Sequence, residues 1–137
     1  MPHDPALVAE TRSSLSKAAR DLATADFEFT ADPPFLEDIT FHAQQAVEPT
    51  LKGFLCWHGR TFRKTHNLIE LGQSCAEIDG TLESLLRRAA PLTEYAWKFR
   101  YPGEYSEPIR GEATDVLNLA REIYGAILVR LPDAVRP

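Results

Sequence analysis

The nine residues His58-Gly59-Arg60-Thr61-Phe62-Arg63-Lys64-Thr65-His66 hold three fixed cations and two histidines. Guanidinium forks and an ammonium group bind phosphate or carboxylate, and an imidazole can donate to an anion or move a proton. A helix starting just after this stretch would add its first free backbone N–H groups to the side-chain charges. That makes Arg63, Lys64 and His66 candidates for a phosphate site. The alternative is a solvated connection between helices. A second polar group, His42, Gln44, Gln45, Glu48 and Lys52, interrupts a segment that could have carried a wider apolar face. His42 and Gln45 share a helical face, and Gln45 could meet a base edge or order a neighbouring loop. A solvent face or a polar seam between subunits is the plainer reading. The third group is Arg100-Tyr101-Pro102-Gly103-Glu104-Tyr105. An arginine beside a tyrosine could stack on and clamp a nucleotide, whereas a structural Arg100 would favour a helix C-terminus and close a turn.

The histidines His3, His42, His58 and His66 show neither His-x-x-x-His nor His-Glu-x-x-His spacing, and they do not combine with the cysteines at structural-zinc intervals. No metal and no other cofactor is expected. Cys56 and Cys75 form no Cys-x-x-Cys pair, so a disulfide scaffold is not expected and a reduced, cytoplasmic location fits better.

These groups must be positioned by helices. Asp4-Pro5 reads as a cap followed by a proline at the first helical position, and Val8, Thr11, Leu15, Ala18, Leu22 and Ala25 stack on one face, with an end near Asp26. Asp32-Pro33-Pro34 repeats the start signal. Phe35, Ile39, His42/Ala43, Ala46, Thr50/Leu51 and Phe54 then continue to Gly59, which can supply a left-handed C-terminal residue. Pro49 lies inside this second helix, where it removes a hydrogen bond and crowds the Gln45 carbonyl, so a kink is expected. A short helix over about Asn67 to Glu77 follows, with Thr65 as its expected cap. From Thr81 to Phe99 a helical stripe is expected to bend or divide at Pro91, and a last helix runs from about Glu112 to Leu131. The expected fold is all-α, a four- to five-helix antiparallel up-and-down bundle of four long helices and one short one.

At 137 residues, with 44% apolar and 26% charged residues, the chain has the size and composition of one folded domain, here with its core over about residues 6–131. The apolar runs are far too short to span a bilayer, and no secretory signal is expected. Fifteen Lys+Arg against 20 Asp+Glu give a formal charge of −5, which argues against adsorption of the whole surface to a polyanion but allows a local basic patch. Trp57, Trp97 and Phe99 exceed what one small core needs, and a homodimer would bury them.

Taken together, Phe41-His42-Ala43-Gln44-Gln45-Ala46-Val47-Glu48 with Leu51-Lys52, then Lys64-Thr65-His66-Asn67-Leu68, then Arg100-Tyr101-Pro102, and the alanine-rich closing helix from Glu112 resemble a HEPN domain of the compact prokaryotic stand-alone branch, over about residues 6–131. Pro49 departs from the family, which usually continues there with a lysine. The resemblance implies a helical bundle that is commonly a homodimer and binds a nucleotide or RNA. It is often the partner of a minimal nucleotidyltransferase or one half of a toxin–antitoxin pair. On this reading Gln45, Lys52, Arg63, Lys64, His66 and Arg100 contact the ligand. The family also includes metal-independent ribonucleases with an Arg-x4-6-His motif in the late helix, where histidine handles a proton and arginine stabilises the phosphorane. No histidine follows His66 here, and Leu68 rules out the Arg-x4-His-x-Tyr form. Arg60 and His66 satisfy the ribonuclease spacing in a different place, so an endoribonuclease using that pair is one alternative. A pure protein-interaction module is another.

Overall fold

The computed structural model describes residues 3–96 and 108–137. α1 spans Pro5–Phe29, with the Asp4 carboxylate accepting from the Ala6 N–H at 2.9 Å and Pro5 in the first turn. Thr11, Leu15, Ala18, Leu22 and Ala25 are buried, as their spacing requires. The helix continues past Asp26 because the next turn still has something to pack: Phe29 lies against the core, and the Arg110 guanidinium stands 5.6 Å from its ring centroid.

α2 spans Leu36–Trp57. Its start differs from expectation. Phe35 occupies the cap position without any side-chain hydrogen bond, and Glu37 and Asp38 in the first turn supply the favourable negative charge instead of Asp32. Its end follows expectation: Gly59 adopts φ 68°, Gly59 N–H bonds the Cys56 carbonyl at 3.0 Å, and Arg60 N–H bonds the Leu55 carbonyl at 2.9 Å. This is a Schellman closure, which needs a left-handed residue. The helix runs without interruption through Pro49.

α1 and α2 form an antiparallel pair. The Thr11 hydroxyl reaches Cys56 Sγ at 3.6 Å near one end, and His42 meets Glu28 near the other. Between them Gly53 allows close approach, since a Cβ there would lie 3.3 Å from both Leu15 and Ser14. Of the residues from Ile39 to Leu55 only Phe41, His42, Gln45 and Lys52 escape burial, so α2 is the central element with one open strip. α1, α3 and α5 cover the rest of it.

α3 spans Leu68–Ile78, and Asn67 rather than Thr65 is its cap. The Asn67 side chain accepts from Ile69 N–H at 2.9 Å and Glu70 N–H at 3.4 Å, while the Thr65 hydroxyl accepts from Asn67 N–H at 3.0 Å. The fourth long helix is not formed as a unit. A 3₁₀ turn at Gly80–Leu82 leads into α4, Glu83–Arg87, and a second 3₁₀ segment covers Ala90–Ala96. The division falls where Pro91 denies the Arg87 carbonyl its donor and biases the preceding residue away from helix. Leu82, Leu86, Ala89, Leu92 and Tyr95 nonetheless face the core. α5 spans Arg110–Leu128 and buries Ala113, Val116, Leu117, Ala120, Ile123 and Ile127, with Leu131 and Val135 closing the core behind it. The described residues therefore form an all-α bundle.

Candidate functional site: a polar cleft between α1 and α2

A cavity of about 350 Å³ opens where α1, α2 and the segment before α3 meet. Ser13, Ser14 and Lys17 line it from α1, Gln45, Glu48, Pro49 and Lys52 from α2, and His66 from the connecting segment. Glu48 is its organising residue. Only 6% exposed, Glu48 presents Oε1 to Lys52 Nζ and to His66 Nδ1, both at 2.7 Å. A carboxylate buried to this degree must be partnered, and the shared oxygen fixes an ammonium and an imidazole side by side. Lys52 Nζ also stands 5.9 Å from the centroid of the Phe62 ring.

Beside this cleft Gln44 is fully buried, and its Oε1 accepts from Gln45 Nε2 at 2.8 Å. Along the same α1–α2 seam His42 Nδ1 lies 2.6 Å from Glu28 Oε1. Burial raises the Glu28 carboxyl above its ordinary range against the pull of His42, and burial likewise raises Asp21 despite Lys17 nearby. The seam thus places Lys17, Lys52 and His66 at the cleft, each beside a carboxylate, and sets Glu28 and Asp21, with raised carboxyl values, farther along α1.

Of the residues singled out from sequence, Gln45, Lys52 and His66 converge on the cleft. Arg60 and Arg63 do not: the Arg60 guanidinium pairs with Glu77, and Arg63 Nε bonds both oxygens of Glu70 at 2.8 and 3.1 Å. Lys64 is exposed. Arg100 lies outside the described residues, as do Trp97 and Phe99. Arg60 and His66 are drawn to opposite ends of α3, since Glu77 stands nine residues beyond Leu68, about 14 Å along a helix. The N-terminus of α3 offers no free donors to an anion either. Its Leu68, Ile69 and Glu70 N–H groups are taken by Thr93 and Asn67 side chains.

Sequence reasoning missed Ser13, Ser14 and Lys17, and it counted Glu48 only as part of a polar group. The available signal was the polar row Ser14, Lys17 and Asp21 running beside the apolar stripe of α1, three and four residues apart. Both cysteines are free thiols. Burial pushes the Cys75 thiol up to about 12, and half-buried Cys56 accepts from Thr11. Among the described residues no three His, Cys, Asp or Glu side chains gather as a metal site, and no helix is long and apolar enough to cross a membrane.

A sequence model of the family described as HEPN domain matches residues 11–130, most of the chain. The chain belongs to the HEPN domain family, and is a helical domain of a nucleotide- and RNA-related class. Searches among curated proteins and among solved structures gave no significant match.

Proposed function

We propose that this HEPN domain binds a nucleotide or an RNA phosphate in the α1–α2 cleft, as a non-catalytic partner of a minimal nucleotidyltransferase or a member of a toxin–antitoxin pair. The observation that carries the reading is the gathering of Lys17, Lys52 and His66, with the Ser13 and Ser14 hydroxyls, in one pocket of a net-acidic chain. Two ammonium groups, an imidazole and two hydroxyls offer the donors a phosphate takes up. Gln45 stands beside them with an amide suited to a base or ribose. Arg63 and Lys64 complete the reading as outer cations that steer a polyanion, and Arg100 keeps the ligand contact that the family resemblance implies. Binding is preferred to cleavage by Arg60 and His66 because that pair is separated along α3. A cytoplasmic homodimer belongs to the same reading, supported by two unpaired cysteines and by exposed apolar side chains at one end of the bundle.

Lys17 and His66 have side chains 65% and 80% exposed, so the double variant Lys17→Ala/His66→Ala leaves the fold intact. Titrated with ATP or a short RNA, it is expected to bind at least tenfold more weakly and with a shallower salt dependence than the wild type. Arg63→Ala/Lys64→Ala is expected to lose less, since Glu70 already neutralises Arg63. Unchanged affinity in the cleft variant would overturn the site.

A further inference from the structure

Pro49 is buried in the interior of α2 and lines the cleft. Its nitrogen carries no hydrogen, so the Gln45 carbonyl is deprived of the donor that an α-helix supplies four residues on. The adjacent carbonyl is provided for: the Thr50 hydroxyl donates to the Ala46 oxygen at 2.7 Å. No side chain among the described residues donates to the Gln45 oxygen. Gln45, Glu48, Pro49 and Lys52 form the strip of α2 that lines the cleft, and helical geometry sets the Gln45 carbonyl on that strip, between the Gln45 and Pro49 side chains. A main-chain acceptor that its own helix leaves without a donor is well suited to a ligand's N–H or O–H.

We propose that Pro49 turns the Gln45 main-chain carbonyl into a specificity contact, which accepts a hydrogen bond from the same ligand whose phosphate meets Lys17, Lys52 and His66. This rests on the cleft reading given above and adds to it the ligand's second recognition group, a hydrogen-bond donor on the nucleoside. The donor is an exocyclic base amine or a ribose 2′-hydroxyl. A volume of about 350 Å³ is near the lower end of the roughly 300–1,000 Å³ typical of small-molecule pockets, which fits one nucleotide unit and not a folded stretch of RNA. The acceptor discriminates by leaving itself unpaired when a ligand lacks the donor.

Calorimetric titration of the wild type and Pro49→Ala with ATP, ITP, 2′-deoxy-ATP and tripolyphosphate tests this. Alanine restores an N–H to the Gln45 carbonyl and favours helix, so the variant folds. The wild type is expected to bind ATP about tenfold more tightly than one of the two analogues. ITP as the poor ligand assigns the base amine, and 2′-deoxy-ATP assigns the ribose hydroxyl. In Pro49→Ala that ratio is expected to fall to about one, whatever the change in tripolyphosphate affinity. An unaltered ratio in the variant, or equal binding of all three nucleotides by the wild type, overturns the inference and leaves the cleft reading standing. If the wild type binds neither ATP nor tripolyphosphate, the cleft reading falls and the inference falls with it.

Discussion

Glu48 is the residue on which the chemistry of the cleft turns. Its carboxylate already occupies Lys52 and His66, so a phosphate entering the cleft as proposed would compete with a resident anion for the same donors. Replacing it by an isosteric neutral amide removes the competitor and keeps a hydrogen-bonding group in the floor. Glu48→Gln is therefore expected to tighten tripolyphosphate or ATP binding by roughly tenfold at low salt, an effect that shrinks as salt is raised. Weaker binding by Glu48→Gln in the same titration would mean that Glu48 itself contacts the ligand. At this scale the sequence was partly legible. Gln45, Lys52 and His66 announced themselves by residue type and by their place in a family pattern. The neutralisation of Arg60 and Arg63 did not, because Glu77 lies 17 residues from Arg60 and Glu70 lies 7 from Arg63 across a non-helical connection, so no helical spacing pairs them.

Elements were legible where periodicity was strong and less so where caps and prolines competed. The apolar stripe of α1 predicted its buried face residue by residue, since five of its members are buried and Val8 packs against them. Thr65 and Asn67 are both capping residues two positions apart, and only the geometry of the chain decides that Asn67 faces the α3 amides. The cleft was illegible at this scale because it is made by two helices crossing closely at Gly53, a tertiary fact that the sequence of α1 alone does not carry. One junction between elements has a measurable pH signature. Asp79, in the turn between α3 and α4, accepts from the Thr81 hydroxyl and N–H and from Arg130 Nε of the chain following α5. Thr81 first, and Arg130 after it, hold the carboxyl well below its ordinary 3.8, at about 2. A depressed folded-state value stabilises the fold above the unfolded value, and that contribution is lost as pH falls through the folded one. Asp79→Asn is expected to lower the melting temperature at pH 7, and the gap from wild type to close between pH about 4 and about 2. A gap that persists undiminished at pH 2 counts against the assignment.

Across the whole molecule, the net charge of −5 describes an average that the cleft departs from. Apolar surface is uneven as well. Phe27 is 75%, Phe35 57% and Ile109 71% exposed. The bond from Phe35 N–H to the Glu28 carbonyl and the stacking of Arg110 on Phe29 bring all three to one end of the bundle. Such a patch is costly in water and suits a symmetric contact with a second copy. Light scattering during size exclusion is expected to give twice the 15.4 kDa chain mass for the wild type, and the single-chain mass for Phe27→Lys/Phe35→Lys. A single-chain mass for the wild type at tens of micromolar would exclude that dimer. The burial of α2 on every side but one has a further consequence. A rod wedged among three neighbours in a close-packed interior cannot tilt or slide without repacking all of them. Packing therefore holds the α2 side of the cleft in place, and a ligand bound there as proposed would alter the electric field at the mouth more than the backbone. A partner would sense the loaded state as a change in charge at close range, a message that reaches no farther than the ionic atmosphere allows.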